Sequence, residues 1–292
     1  MQIIHTVTEL RAALKQQTSI GCVPTMGNLH AGHIALVNVA KQHAQCVVVS
    51  IFVNPLQFGV NEDFGSYPRT LEADCEMLST AGVNIVFAPT VAEMYPQMTE
   101  NPSDGNNLNQ SMSITPPPIA NTLCGATRPG HFSGVATVVM KLFNIVAPTV
   151  AVFGKKDFQQ LFIIKEMVKQ FNLPIEIVAG ETKREASGLA MSSRNGYLND
   201  MQCAQAAQLN MALQGVIHQL KSGNQDFITL EKDATEQLSH TGWEVDYIAI
   251  CSAITLQAAQ RHDKQLVVLG AAKISNKQAG KTRLIDNIEV NI

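Results

Sequence analysis

The stretch Val23–His33, VPTMGNLHAGH, places two histidines three residues apart beside glycines. The apolar run before it, Ile20–Pro24, predicts a strand, and Ile34–His43 after it predicts a helix with little polar face. A helix that begins near Gly32 would present unpaired N–H groups and the positive end of its dipole, and these attract phosphate. The imidazoles of His30 and His33 can add hydrogen bonds to phosphate oxygens. The pattern therefore predicts a strand–loop–helix unit with a phosphate site in the loop.

Two other interpretations of this stretch stay open on the local pattern alone. It could be an ordinary helix-capping turn in which one histidine is packed and the other is solvated. It could also be a zinc site, which needs a third ligand and an open coordination position. No third ligand is evident in the sequence.

Along the chain after this stretch, apolar runs alternate with helical patterns. The segment Cys46–Val53, CVVVSIFV, is an unbroken β-branched run of the kind buried on both faces of a parallel sheet. Further strands are predicted at Val83–Ala88, Thr149–Phe153 and Pro174–Val178, and helices at 71–81, capped by Thr70, at His131–Val146 and at Asp157–Phe171. This order predicts an α/β fold, a Rossmann-like doubly wound parallel sheet with right-handed crossovers.

The pattern changes near Gly180. Two helices are predicted at about Met201–Leu220 and Phe227–Leu238, and WEVDYIAIC, KQLVVLGAAKI and RLIDNIEV then alternate like strands of a small, partly exposed sheet. We therefore expect residues 1–180 to form a ligand-binding Rossmann-like domain and residues 181–292 a smaller α+β lid domain. The Pro-rich segment from Tyr95 to about Pro118 is predicted as a surface loop, with a flap over a site as the alternative.

The composition and net charge of the chain limit the classes of partner that we expect. The chain has 292 residues, of which 46% are hydrophobic, and a net charge of −3, so no overall basic field points to nucleic acid. Six cysteines without a CxxC spacing indicate reduced thiols and a cytoplasmic location. There is no signal-peptide pattern, and no apolar run reaches the roughly 20 residues of a membrane span. We therefore expect small-molecule partners, no nucleic acid and no membrane.

Three polar clusters follow predicted strands. They are Thr25–His33, Asn54–Phe58 and Gly154–Gln160. Ligands of open α/β sheets bind beyond the carboxyl ends of the strands, so the fold alone can bring such clusters together.

Several motifs occur together along the chain, namely PTMGNLHAGH, SIFVNPLQF, YPRTLEAD, RPGHFSGV, GKKDFQQL and GLAMSSRNGYL. The HAGH tetrapeptide resembles the His-x-Gly-His signature of the adenylyl-transferring superfamily. In their order and spacing, the motifs resemble the pantothenate synthetase (pantoate–β-alanine ligase) family from about Ile3 to RLIDN near the C-terminus. The resemblance implies ATP-dependent condensation of (R)-pantoate with β-alanine to pantothenate, AMP and pyrophosphate through pantoyl adenylate.

The resemblance also implies the roles of individual residues. His33 lies at the position of the family's proton donor, and His30 and Lys156 would contact phosphate, so these three are the catalytic candidates. Gln57, Gln160 and Asn54 would bind pantoate or β-alanine, and Asp74 is the candidate ligand of the Mg²⁺ that accompanies ATP. The implied ATP-binding residues are Met26, Gly27, Asn28, Leu29, His30, Ala31, Gly32, His33, Gly154, Lys155, Lys156, Asp157, Lys183, Met191, Ser192, Ser193 and Arg194.

The chain departs from the family pattern at Lys155, Ser187, Ser133 and Ala31. These changes affect the charge balance around the site and remove none of the residues assigned above. The resemblance further implies a homodimer. Two rival functions remain: a nucleotidyltransferase of the same superfamily that acts on another small substrate, and a non-catalytic nucleotide-binding regulator.

Overall fold

The computed structural model describes residues 1–59, 64–96, 110–277 and 280–292. These residues form two compact units. The first comprises Met1–Asn121, Arg128–Gly154 and Gln160–Gly180, and the second comprises Thr122–Thr127, Lys155–Gln159 and Glu181–Ile292. The chain thus passes to the second unit after Gly180, but two short earlier segments are also part of it. The lid role stays a prediction, and residues 97–109 of the predicted loop lie outside the described residues.

The strands are 3 to 11 residues long, and most of them follow the predicted apolar runs. They are β1 (Gln2–Ile4), β2 (Ile20–Thr25), β3 (Cys46–Ile51), β4 (Ile85–Phe87), β5 (Val150–Gly154), β6 (Glu176–Gly180), β7 (Glu244–Ser252), β8 (Gln265–Ser275) and β9 (Lys281–Asn291). The α-helices are α1 (Val7–Leu14), α2 (Ala31–His43), α3 (Leu71–Thr80), α4 (Val91–Met94), α5 (Cys124–Thr127), α6 (His131–Val146), α7 (Phe158–Gln170), α8 (Asp200–Lys221) and α9 (Phe227–His240).

In the described part of the first unit, six parallel strands form one sheet in the order β1-β4-β3-β2-β5-β6. Strand order reverses between β2 and β5, which makes their carboxyl ends the topological switch point where such sheets bind ligands. The loop with the two histidines follows β2. The predicted α/β fold with a parallel sheet is confirmed.

Burial on both faces explains why the β3 sequence is an unbroken apolar run. Cys46 and Val48 belong to the hydrophobic core on one face of the sheet. Val47 and Val49 point the other way and belong to a second core. Full burial of one such side chain contributes about 1.5–3 kcal/mol, so the residues of both faces stabilise the central strand of the sheet.

Helix α6 approaches the turn after β3 so closely that only glycine fits at one position. A Cβ atom on Gly134 would lie 2.1 Å from the carbonyl oxygen of Leu56. The 3₁₀ turn Pro55–Gln57 therefore packs directly on the helix backbone. This packing fixes the position from which Gln57 projects.

The second unit contains, among its described residues, an antiparallel sheet of three strands in the order β7-β8-β9. Its core includes Leu213 of α8, Leu238 of α9 and Val268 of β8. The strand β8 is buried from Leu266 to Ala272. The expectation of a partly exposed sheet is therefore wrong for this central strand.

Several element boundaries differ from the predicted ones by a few residues. Helix α2 begins at Ala31 and not at Ile34, because a histidine side chain caps it. Strand β3 ends at Ile51, since the 3₁₀ turn begins shortly afterwards. Thr70 occupies the N-cap of α3 without a capping hydrogen bond, and its hydroxyl donates to a carboxylate oxygen of Asp74.

The short edge strand β1 carries no periodic apolar pattern and was not predicted. Among the helices of the described residues, none combines the length and the apolar character that crossing a bilayer requires.

We predict that Gly134→Ala lowers the free energy of unfolding by about 1–3 kcal/mol, because the new methyl group collides with the Leu56 carbonyl. Gly215→Ala on α8 is the matched control, since a Cβ atom there meets nothing within 4 Å. The control should be neutral or slightly stabilising. Urea unfolding followed by circular dichroism measures both, and equal stability of the two variants would contradict the packing argument.

Candidate functional site

The loop after β2 owes its shape to two residues with left-handed backbone angles. Gly27 has a φ of 81° and Asn28 a φ of 49°. A Cβ atom on Gly27 would lie 3.0 Å from a carboxylate oxygen of Asp74, so both the angle and the space favour glycine. Thr25 closes the turn, because its hydroxyl donates to the Ser50 carbonyl (2.7 Å) and accepts from the Gly27 N–H (3.3 Å).

A buried carboxylate holds the middle of this loop. Asp74 in α3 is 2% exposed. Its Oδ2 accepts from the Asn28 N–H (2.9 Å) and its Oδ1 from the Leu29 N–H (2.8 Å). Thr70 donates to Oδ2 as well (3.2 Å). Hydrogen bonds to a carboxylate are stronger than neutral ones, so this side chain fixes the entry to α2.

Both histidines of the loop cap the helix. Nδ1 of His30 accepts from the Gly32 N–H at 3.1 Å, and Nδ1 of His33 accepts from the His30 N–H at 3.2 Å. This reciprocal arrangement is a capping box built from imidazoles, and the two ring centroids are 4.1 Å apart.

The capping geometry assigns the tautomers of both rings. A nitrogen that accepts a hydrogen bond carries no proton, so the neutral ring carries its proton on Nε2. Each ring therefore presents Nε2–H as its donor, next to the N–H groups of the first turn of α2. The loop combines directed donors with the positive end of a helix dipole, which suits a phosphate group.

A second polar cluster lies at the end of β3. Asn54, 1% exposed, donates to Gln57 Oε1 (3.2 Å) and to the Gly134 carbonyl (3.1 Å). Its own Oδ1 accepts from the Tyr95 hydroxyl at 2.7 Å. The Gln57 amide reaches the first loop, with Nε2 2.9 Å from Sδ of Met26. The amides and the histidine loop are thus adjacent within the first unit.

The backbone of Gln57 is held from α6. Nδ1 of His131 donates to the Gln57 carbonyl (2.8 Å), and Arg128 donates to the same oxygen (3.3 Å) and to Nε2 of His131 (2.9 Å). Sequence reasoning missed Tyr95 and His131. The RPGHF motif carries the signal for His131, whereas a single tyrosine before a polar loop carries none.

Gln159 and Gln160 have different environments although they are neighbours. The buried Gln159 side chain accepts from the Cys124 N–H (3.1 Å) and donates to the Thr122 carbonyl (2.9 Å), so it holds the short segment Thr122–Thr127. Gln160 is half-buried and belongs to the first unit. Of this pair, only Gln160 was singled out by sequence.

Lys155, one of the positions at which the chain departs from the family pattern, forms two ion pairs. Its Nζ lies 2.7 Å from Glu181 and 2.6 Å from Glu289. Burial lowers the pKa of this amine, but the hydrogen bonds to the two glutamates outweigh that effect and hold the pKa above its usual value. The Lys155 side chain is therefore engaged in ion pairs, whereas Lys156 lies next to Asp157 at 4.0 Å.

The segment Lys183–Arg194 folds back on itself in the second unit. The Met191 N–H donates to the Lys183 carbonyl (2.9 Å), and Arg184 forms a β-bridge with Ala190. Ser192 caps the 3₁₀ turn Ser193–Tyr197 by accepting from the Arg194 N–H (3.3 Å). Lys156, Ser192 and Asp286 line one small cavity of this unit.

The predicted site residues thus fall into two groups. The first unit brings together Met26–His33, Asn54, Gln57 and Asp74, and it also contains Gly154 and Gln160. The second unit contains Lys155, Lys156, Asp157, Lys183 and the stretch Met191–Arg194.

The described residues offer no group of three or more His, Cys, Asp or Glu side chains that could hold a metal ion. Both carboxylate oxygens of Asp74 already accept backbone N–H groups of the histidine loop. Asp74 therefore positions the loop, and its role as a Mg²⁺ ligand stays a prediction.

We predict that Asp74→Asn weakens the loop, because the amide replaces one of the two accepting oxygens with an NH₂ donor, so either the Asn28 or the Leu29 N–H loses its acceptor. The free energy of unfolding should fall by about 1.5–3 kcal/mol, and the amide protons of Asn28 and Leu29 should exchange faster with solvent. Glu72→Gln, an exposed position on the same helix, is the control. Unchanged exchange at both amides would refute the role of Asp74.

Comparison with known proteins gives consistent results. A sequence model of the family described as Pantoate-beta-alanine ligase matches residues 2–289. The pantothenate synthetase of Methylobacillus flagellatus is 58% identical over 292 residues, which cover 100% of this chain and 99% of that protein.

Solved structures agree. The pantothenate synthetase of Thermus thermophilus superposes with a TM-score of 0.90 at 40% identity, covering 100% of both chains. A pantoate-beta-alanine ligase from Francisella tularensis, complexed with beta-gamma ATP and beta-alanine, gives a TM-score of 0.77 at 35% identity, covering 99% of this chain and 97% of that one. The chain therefore belongs to the pantoate–β-alanine ligase family.

Proposed function

We propose that this protein condenses (R)-pantoate with β-alanine at the expense of ATP. Pantoate and ATP first give pantoyl adenylate and pyrophosphate, and the β-alanine amine then attacks the acyl carbon and releases AMP. The observation that carries the proposal is the contact between Gln57 Nε2 and Met26 Sδ (2.9 Å). It places an amide suited to a hydroxy acid beside a loop suited to phosphate.

Adenylation is the attack of a pantoate carboxylate oxygen on the α-phosphorus, and it needs positioning and charge stabilisation more than covalent chemistry by the protein. Nε2–H of His33 and Nε2–H of His30 supply donors for the charge that develops on the phosphate oxygens. A neutral imidazole in this tautomer stabilises that charge by hydrogen bonding. Literal proton transfer from His33 is not required by the geometry.

The amide cluster provides the pantoate site. An amide both donates and accepts, which matches a substrate with hydroxyls and a carboxylate. Gln57 is held by its neighbours Asn54 and Met26, so its orientation is set before substrate arrives. Gln160 is the second amide assigned to pantoate, and Gln57 is also assigned to the β-alanine site.

Residues of the second unit are assigned to ATP. Lys156 and Arg194 would donate to phosphate oxygens together with the hydroxyls of Ser192 and Ser193, and Arg is well suited to such contacts. Asp157 is assigned to the ribose hydroxyls and the Lys183 backbone to adenine. Mg²⁺ binds phosphates with few protein ligands, so we propose that it enters with ATP and does not occupy a preformed cage. A homodimer and a cytoplasmic location remain predictions.

A substrate-omission assay tests the proposed reaction. Pyrophosphate release from ATP should require pantoate, and AMP release should additionally require β-alanine. Pyrophosphate release that is independent of pantoate would favour a nucleotidyltransferase acting on another substrate. Binding of ATP without any turnover would favour a regulatory protein.

We predict that His33→Ala reduces pantoate-dependent pyrophosphate release by about 100-fold or more, because it removes a donor to the developing phosphate charge. His43→Ala, at the exposed end of the same helix, should retain wild-type turnover. Circular dichroism spectra of both variants check the fold. Full activity in a folded His33→Ala protein would overturn the role of this residue.

A further inference from the structure

Two neighbouring residues of β9 hold both of the second unit's proposed ATP-binding segments. Asn287 is 6% exposed, and its Nδ2 donates to the carbonyls of Lys155 (2.9 Å) and Lys156 (2.8 Å). An amide nitrogen has two N–H groups, and each serves one of these carbonyls. The backbone turn that carries Lys156 is therefore fixed from β9.

Asp286, 4% exposed, holds the second segment. Its two oxygens accept from Arg184 in a bidentate pair of 2.7 and 2.8 Å. Asn210 of α8 and the Asn287 N–H complete its coordination at 3.0 and 2.8 Å. Arg184 in turn donates to the carbonyls of Gly188 (3.0 Å) and Asn287 (3.3 Å), so it closes the fold-back that leads into Met191–Arg194.

Stability alone does not account for this network. A buried ion pair loses much of its Coulomb energy to desolvation, and well-packed apolar residues often stabilise a protein as well or better. What a fully bonded polar network adds is a unique geometry. Lys156 and Ser192 line the same cavity as Asp286, so this geometry sets the relative positions of the two segments.

We propose that Asn287 and Asp286 are positioning residues for ATP in the adenylation step. Asn287 fixes the backbone turn of Lys156, and Asp286 fixes Arg184 and thereby the stretch Met191–Arg194. This inference rests on the proposed ATP role of those two segments. Neither β9 residue needs to touch the nucleotide, because displacement of a phosphate donor by about 1 Å is enough to slow the reaction severely.

The test compares Asn287→Ala with Asn291→Ala, a matched control at the exposed end of the same strand. In pantoate-dependent pyrophosphate release, Asn287→Ala should lower kcat/KM for ATP by about 10- to 100-fold. The KM for pantoate should not change, and Asn291→Ala should match the wild type. A rise in the KM for pantoate as large as that in the KM for ATP, or an unchanged kcat/KM for ATP, would overturn the positioning role.

Arg184→Lys provides a second variant that keeps the charge opposite Asp286 and removes the bidentate fork. Its kcat/KM for ATP should fall to a similar extent while the KM for pantoate stays unchanged. This result is expected even if Asn287→Ala does not fold. Arg261→Lys, at an exposed position, is its control. An unchanged kcat/KM for ATP in a folded Arg184→Lys protein would contradict the positioning role proposed for Asp286.

Lys156→Ala separates failure of this inference from failure of the proposed function. If Lys156→Ala impairs ATP use and Asn287→Ala does not, the positioning inference is wrong and the ATP role of the segment stands. If Lys156→Ala uses ATP as the wild type does, the assigned ATP role fails and the inference loses its basis.

Discussion

The candidate site depends on one buried carboxylate. Asp74 accepts two consecutive backbone N–H groups of the loop after β2, and without that acceptor a loop with two left-handed residues would have no fixed path. The loop sets where α2 begins, and the start of α2 sets where both imidazoles point. A single side chain on a neighbouring helix thus fixes the loop from which both imidazoles project.

The same design recurs at the other polar clusters. Gln57 is held through its carbonyl by His131 and through its side chain by Asn54, and the turn of Lys156 is held by Asn287. In each case, a buried or half-buried polar group fixes the backbone or rotamer of a residue assigned to a ligand. Preorganisation of this kind lowers the cost of ordering the site when substrates bind.

The fold class could be predicted from sequence alone, because the alternation of apolar runs with helical patterns is a local property of the chain. The run at Cys46 indicated a strand buried on both faces, which the structure confirms, whereas the division into domains at residue 180 stays a prediction. The supporting contacts could not be predicted, since they join distant positions. Asp74 bonds to Leu29 45 residues away, and Asn287 bonds to Lys156 131 residues away. The imidazole caps were also missed, because a histidine pattern does not reveal which nitrogen accepts.

The ion pairs of Lys155 restrict how this position can change during evolution. Lys155 is the cation between Glu181 and Glu289, so replacement by an acidic residue would put three negative charges together. A change at any one of residues 155, 181 and 289 therefore alters the charge balance of the other two, so substitutions at these three positions should depend on one another.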